Sequence, residues 1–208
     1  AMTSPRRNAL KLVVVDRDGT LNVYSKGYIK GPQEWEPIPG AMEALGLLAR
    51  AGWHVVVASN QPALGRGVMD MASLNEIHEV MHRQVQAHGG RIDAVFFCPH
   101  SAEESCSCRK PESGMFLEIA ERYGVELSSI HAVGDALRDV QAASAAGCMV
   151  HLVCTGEGEI WRDQPLDPAF PPHTRVHDDF LDFAKTLLQE EEAAQAAQSA
   201  SDQASLTP

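Results

Sequence analysis

Apolar residues along this chain gather in short runs, each ending at a polar or glycine-containing pair. Leu10–Val15 (LKLVVV) stops at Asp16, His54–Ala58 (HVVVA) at Ser59-Asn60, and Ile130–Val133 at Gly134-Asp135. Ile92–Phe97 runs straight into Cys98, and Met149–Val153 forms a fifth run. Short β-branched runs without alternation suit strands buried on both faces, as in a parallel sheet. Between them the apolar spacing changes to three and four residues. Gly40–Ala51 carries Met42, Leu45, Leu48 and Ala49, and Gly52 stands where a helix would stop. Ser73–His88 repeats the pattern through Leu74, Ile77, Val80, Met81 and Val85, closed by Gly89-Gly90. Ser113–Tyr123, with Ser113 as N-cap, Leu137–Ala146, closed by Gly147, and Asp178–Leu188 complete the predicted helices. Residues 22–39 and 165–172 read as irregular, and no internal repeat is present.

Strands alternating with helices predict an α/β domain with a mostly parallel, Rossmann-like sheet and helices on both faces. We expect a single domain over residues 9–188. The acidic Ala/Gln-rich stretch 189–208 is left as either helical extension or disorder. In such sheets ligands bind beyond the carboxyl ends of the strands. Asp16-Arg17-Asp18, Ser59-Asn60, Gly134-Asp135 and the Cys98 stretch all lie at predicted strand ends, so four segments converge on one rim.

Asp16 and Asp18, joined there by Asp135, supply hard oxygen ligands suited to Mg²⁺. A carboxylate at such a site can attack phosphorus, and a second can protonate the leaving oxygen and then activate water. An Asp-Gly turn by itself would mean little. DRDGT directly after VVV means more. Lys110 offers the positive charge that a transferring phosphoryl group needs.

Residues 98–111 read CPHSAEESCSCRKP and hold three of the five cysteines. Cys98, His100, Cys106 and Cys108 make a complete tetrahedral set for structural zinc. Free cysteines on a loop and a Cys98–Cys106 disulfide are the alternatives. A zinc loop over 98–108 would aim the adjoining Lys110, with Arg109, at the substrate. Cys148 and Cys154 read as buried small apolar residues.

Net charge is −11, which disfavours a broad nucleic-acid-binding face yet allows a small anionic substrate held by a few donors. No apolar run approaches the roughly 18 residues that a membrane helix needs. No secretory pattern is visible, so the expected compartment is the cytoplasm, where thiols stay reduced.

DRDGT (16–20), Ser59-Asn60, Lys110 in RKP and GDALRD (134–139) resemble, in order, the four motifs of the haloacid dehalogenase (HAD) phosphatase superfamily. The resemblance implies Asp16 as nucleophile and Asp18 as general acid and base. It implies Ser59 and Lys110 as phosphoryl ligands, with Asn60 and Arg109 near the substrate and Arg66 a weaker candidate. Mg²⁺ would be held by Asp16, the Asp18 carbonyl and Asp135, supported by Asp139. The short intervals between motifs leave no room for a large cap domain.

The run Y-I-K-x-P-x-E-W-x-x-x-P-G at 28–40, with CPH and C-x-CRKP-x-x-GM, is similar to one branch. That branch is the D-glycero-D-manno-heptose 1,7-bisphosphate 7-phosphatases of lipopolysaccharide and glycoprotein heptose synthesis. The likeness spans about 10–155. The histidinol-phosphate phosphatases, which share the zinc loop, are the runner-up. Pro62-Ala63 and Ala136 depart from the branch pattern, which usually has Ser-Gly and a polar residue there; both changes bear on substrate fit. The loop with Tyr28 and Trp35 either shields the site or packs its own aromatics. The expected partner is a small phosphorylated sugar and the expected state a monomer. A catalytically silent zinc-stapled binding module and a nucleic-acid 3′-phosphatase are the competing readings.

Overall fold

The computed structural model describes residues 10–24 and 28–207. Six parallel strands, β1 (Leu12–Val15), β2 (His54–Asn60), β3 (Ala94–Cys98), β4 (His131–Gly134), β5 (Met149–Val153) and β6 (Arg175–His177), form one sheet in the order β3-β2-β1-β4-β5-β6. Strand order reverses direction at β1, between β2 and β4, which opens a crevice at the carboxyl ends of β1 and β4.

The sheet is buried on both faces. Along β1, Val13 and Val15 join one apolar cluster while Leu12 and Val14 join the other. This is the period-two alternation of a strand between two layers. The first face is covered by α1 (Ala41–Arg50), α3 (Met71–Ala87) and α6 (Phe180–Ser205), through residues such as Leu45, Ile77 and Phe183. The second is covered by α4 (Gly114–Tyr123) and α5 (Leu137–Ala146), through Ile119 and Val140. A single helical turn, α2 (Pro62–Gly65), follows β2.

Several boundaries differ from the sequence reading. β2 extends to Asn60, because Ser59 and Asn60 pair with Phe97 and Cys98 of β3. α3 starts two residues before Ser73. Its cap is Asp70, whose Oδ1 accepts from Ser73 N at 2.8 Å. Ser113 flanks α4 without a side-chain capping bond. The edge strand β6 is absent from the prediction; three residues, two of them exposed, carry no apolar run to detect.

The last helix does not stop at Leu188 but continues to Ser205. Glu191 holds Lys11 Nζ at 3.0 Å, and Glu190 pairs with Arg175 of β6. The first acids of the tail are thereby tied to the body of the sheet. Among the described residues no helix is long and apolar enough to cross a membrane.

Candidate active site

The rim at the carboxyl ends of β1, β2 and β4 gathers the predicted groups. Asp16 follows β1 and Asp135 follows β4, while Asp139 sits in the first turn of α5. Their carboxylate oxygens lie within 4.8 Å of one another. All three side chains are buried. The backbone makes room for this clustering. Gly19 adopts φ +85°, and a Cβ there would lie 2.0 Å from Asp135 Oδ2. Gly156 presses in from the other side, where a Cβ would lie 2.4 Å from the same oxygen. Thr155 Oγ1 donates to Gly19 O at 2.6 Å and ties the two loops together.

Two of these carboxylates, Asp16 and Asp135, resist ionisation. Burial, then the charge of Asp139, pushes Asp16 up to about 6 despite the opposing attraction of Lys110. Burial and the charges of Asp16 and Asp139 likewise hold Asp135 well above the usual carboxylate range. A dication placed among these oxygens would relieve both costs, so the acid cluster fits Mg²⁺. The Asp18 carboxylate, named in the sequence reading as part of the metal set, is not in this cluster. The third side chain in the cluster is Asp139, the group expected to support the metal, and the Asp18 backbone carbonyl stays the ligand that the resemblance implies.

Asp18 is instead enclosed by donors. Arg17 Nη2 and Nε reach its Oδ1 at 2.8 and 3.1 Å, Asn22 Nδ2 reaches the same oxygen at 2.9 Å, and Gln61 Nε2 reaches Oδ2 at 3.2 Å. Burial alone would raise this carboxyl, but the Arg17 guanidinium and the three hydrogen-bonding side chains hold it below its usual range.

Lys110 is 2 % exposed. Its Nζ donates to Asp16 Oδ1 at 3.1 Å, Asp139 Oδ1 at 3.0 Å and Ala58 O at 2.6 Å. Burial opposes its charge, yet Asp139 and Asp16 keep the ammonium protonated above the ordinary lysine range. Asn60 clamps the backbone behind it. Lys110 N donates to Asn60 Oδ1 at 3.0 Å, and Asn60 Nδ2 donates to Lys110 O at 3.2 Å. The expected hydrogen bond from Asn60 toward the transferring group is therefore engaged in holding Lys110. Ser59 Oγ, buried at the end of β2, accepts from Gln61 Nε2 at 2.8 Å.

A cleft of about 180 Å³ opens over Asp16 and Asp18. Tyr24, Tyr28, Asn60, Pro62 and Arg109 line it, together with Arg138, which bridges to Glu157 at 2.7 Å. Arg66 is exposed beyond α2 and does not line the cleft. The two aromatics of the 22–40 segment divide their roles. Tyr28 faces the cleft, whereas Trp35 is buried in the core and donates to Gln84 of α3 at 2.7 Å.

The four zinc candidates converge beside this rim, their ligand atoms also within 4.8 Å of one another. Cys98 Sγ lies 3.8 Å from Cys106 Sγ, and His100 Nδ1 lies 3.3 Å from Cys108 Sγ. Two thiolates on one tetrahedral zinc stand roughly 3.8 Å apart, given Zn–S bonds of about 2.3 Å; the Cys98–Cys106 pair matches this spacing, and the Cys98–Cys108 pair is closer, at 2.7 Å. All five cysteines are free, which removes the Cys98–Cys106 disulfide alternative. Cys148 and Cys154 are buried, and burial pushes the Cys148 thiol up to about 12.

The sequence profile of a family described as haloacid dehalogenase-like hydrolase matches residues 21–147. The chain belongs to this family. Its relatives include the D-glycero-beta-D-manno-heptose-1,7-bisphosphate 7-phosphatase of Bordetella bronchiseptica, 47% identical over 87% of this chain and 99% of the relative. A crystal structure of the B. bronchiseptica enzyme complexed with magnesium and phosphate superposes with a TM-score of 0.83, covering 87% of this chain and 99% of that one. The D,D-heptose 1,7-bisphosphate phosphatase of Burkholderia thailandensis superposes with a TM-score of 0.67 at 45% identity, covering 86% and 98%. The hydrolase site assembled here also uses residues to which the sequence reading gave no role: Gln61, Asn22, Thr20, Arg138 and Glu157. Thr20 was legible as part of DRDGT. Glu157, whose backbone N donates to Asp135 Oδ2 at 2.9 Å, lies in the short 3-10 helix Gly156–Trp161, which the sequence did not announce.

Proposed function

We propose that this hydrolase removes the 7-phosphate of D-glycero-D-manno-heptose 1,7-bisphosphate by a two-step, Mg²⁺-dependent mechanism through Asp16. The reading rests on one observation above all. A buried lysine ties the Asp16 carboxylate to a cluster of two further acids, while a second carboxylate, Asp18, sits at the same cleft under separate control.

In the first step Asp16 attacks phosphorus, forming a P–O bond to its carboxylate as the bond to the sugar oxygen breaks. Asp18 delivers the proton to that oxygen. The donors around Asp18 favour its ionised form; the negative charge of an arriving phosphate dianion acts the other way and favours proton uptake. In the second step Asp18, now ionised, takes a proton from water as the water attacks phosphorus and frees Asp16. Asp16, Asp135 and the Asp18 carbonyl would hold Mg²⁺, which would supply charge neutralisation for the phosphoryl oxygens. Asp139 holds its place through Ala136 N, which donates to Oδ2 at 3.0 Å, and through Lys110. Lys110 neutralises charge on the transferring group, and Ser59 adds a hydroxyl at the end of β2.

Cys98, His100, Cys106 and Cys108 would hold zinc, which would fix the loop that continues into Arg109 and Lys110. The Arg109 guanidinium, which lines the cleft and donates to His100 O at 3.2 Å, is offered to the substrate. Thiolate ligands favour the reducing cytoplasm. A monomer with a single catalytic unit over 9–188 belongs to the same proposal.

The test is Mg²⁺-dependent phosphate release from heptose 1,7-bisphosphate, histidinol phosphate, fructose 1,6-bisphosphate and a 3′-phosphorylated oligonucleotide, with Asp16→Asn as the inactive control. Preference for the heptose bisphosphate supports the assignment. Equal or greater turnover of another substrate overturns it, and Pro62→Ser with Ala63→Gly then asks whether α2 set the preference.

A further inference from the structure

The geometry points to His78 of α3 as a positioning residue for the general acid, acting through Arg17. Arg17 stands between the two catalytic carboxylates in sequence, yet it is fully buried and does not line the cleft. Two of its three nitrogens, Nε and Nη2, converge on Asp18 Oδ1. The third, Nη1, lies 3.1 Å from His78 Nε2.

A guanidinium has only donors, so the His78 ring nitrogen must accept. That requirement fixes a neutral imidazole with its proton on Nδ1. A protonated His78 would lose its acceptor and set a second cation against Arg17. The surroundings agree. Burial first, then the Arg17 charge and the neighbouring His82, lower His78 to about 3, so the acceptor form persists throughout the working range.

A planar fork held at one end has one free rotation about its stem. Gripped at Nη1 as well, it presents Nε and Nη2 to Asp18 in a single orientation. The Asn22 and Gln61 side chains also reach Asp18, but neither bonds the Arg17 guanidinium; Asn22 holds only the Arg17 backbone, its N donating to Arg17 O at 3.2 Å. α3 is itself seated by Trp35 on Gln84 and by its apolar face in the core. The chain α3–His78–Arg17–Asp18 therefore carries the rigidity of the helix layer to the carboxylate that handles the proton. The inference rests on the proposed role of Asp18 as general acid.

Leaving-group chemistry tests it. An alkyl phosphate such as the sugar substrate needs its leaving oxygen protonated. p-Nitrophenyl phosphate does not, because its phenolate is a stable leaving group. kcat/KM reports events up to formation of the aspartyl-phosphate at Asp16. His78→Leu should lower kcat/KM for the sugar phosphate about tenfold relative to that for p-nitrophenyl phosphate, a modest share of what general acids contribute. His78→Gln, whose amide oxygen can accept from Nη1, should restore the ratio. His78→Asn, polar but too short to reach, should not; it carries the same test if the leucine variant fails to fold.

Asp18→Asn separates the two claims. If Asp18→Asn lowers both substrates equally, the general-acid reading fails. If Asp18→Asn shows the split and the His78 variants do not, the positioning role of His78 is overturned.

Discussion

The clamp behind Lys110 makes the sharpest claim about how the site is held. Asn60→Ala removes both hydrogen bonds to the Lys110 backbone, at 3.0 and 3.2 Å. Each contributes about 1 kcal/mol net, and a partly buried donor and acceptor are left to find other partners. The expected loss of stability is about 2 kcal/mol, or a fall in melting temperature of about 4–8 °C for a chain of this size. The catalytic cost should be larger. Lys110 Nζ is fixed at three points, yet its backbone would be free to shift, and a displacement of about 1 Å at a catalytic group can cost on the order of 100-fold. We expect kcat to fall about 10- to 100-fold with KM little changed. Asn60→Asp keeps the acceptor for Lys110 N but turns an oxygen toward Lys110 O, so its deficit should equal or exceed that of alanine. Melting curves and steady-state kinetics with saturating Mg²⁺ decide the matter. Unchanged melting with unchanged kcat would refute the clamp. A rise in KM alone would mean that Asn60 serves the substrate directly.

Three further outcomes follow from other parts of the molecule. His131, His151 and His177 form a hydrogen-bonded chain across β4, β5 and β6, at 3.0 and 2.9 Å, and burial lowers His151 to about 2. The unfolded chain takes up protons first as pH falls below about 6.5. His151 alone should then remove about 2 kcal/mol of stability by pH 5. Urea unfolding at pH 7 and pH 5 should show the gap between the wild type and His151→Gln shrinking by that amount; a constant gap contradicts it. Cys108→Ser should release about one equivalent of zinc by elemental analysis and lower kcat at least tenfold through Arg109 and Lys110, an expectation that full activity without zinc would defeat. Gly19→Ala, which drives a methyl into Asp135 at positive φ, should cost about 1–2 kcal/mol in backbone strain and weaken Mg²⁺ binding at least tenfold by calorimetry. Unaltered affinity would show that the close approach is not needed.

The sequence alone determined the layered α/β plan, because buried strands and amphipathic helices carry different periods and these alternate along the chain. It determined Leu137–Ala146 and Met149–Val153 to the residue, since both are bounded by glycine or polar breaks. It also picked out residues that gather at the rim, as DRDGT, Lys110, Gly134-Asp135 and the Cys/His loop are short local signals. It could not reveal β6, whose three residues are held mainly by pairing with β5. Nor could it show that α6 runs on through 189–205, where composition alone leaves helix and disorder equally open.

Only the tertiary structure decided how the carboxylates divide their work. Asp16, Asp135 and Asp139 come together because β1 and β4 are neighbours and α5 begins beside them. Asp18, two residues from Asp16, faces Arg17, Asn22 and Gln61 instead. Successive residues beyond a strand end are free to turn apart, and direction is set by what the rest of the chain places around them. Asn60 holding a backbone fifty residues away, and His78 meeting Arg17 from a separate helix, are contacts of the same kind. No local pattern encodes them, because the partners meet only once the sheet and its helices have packed.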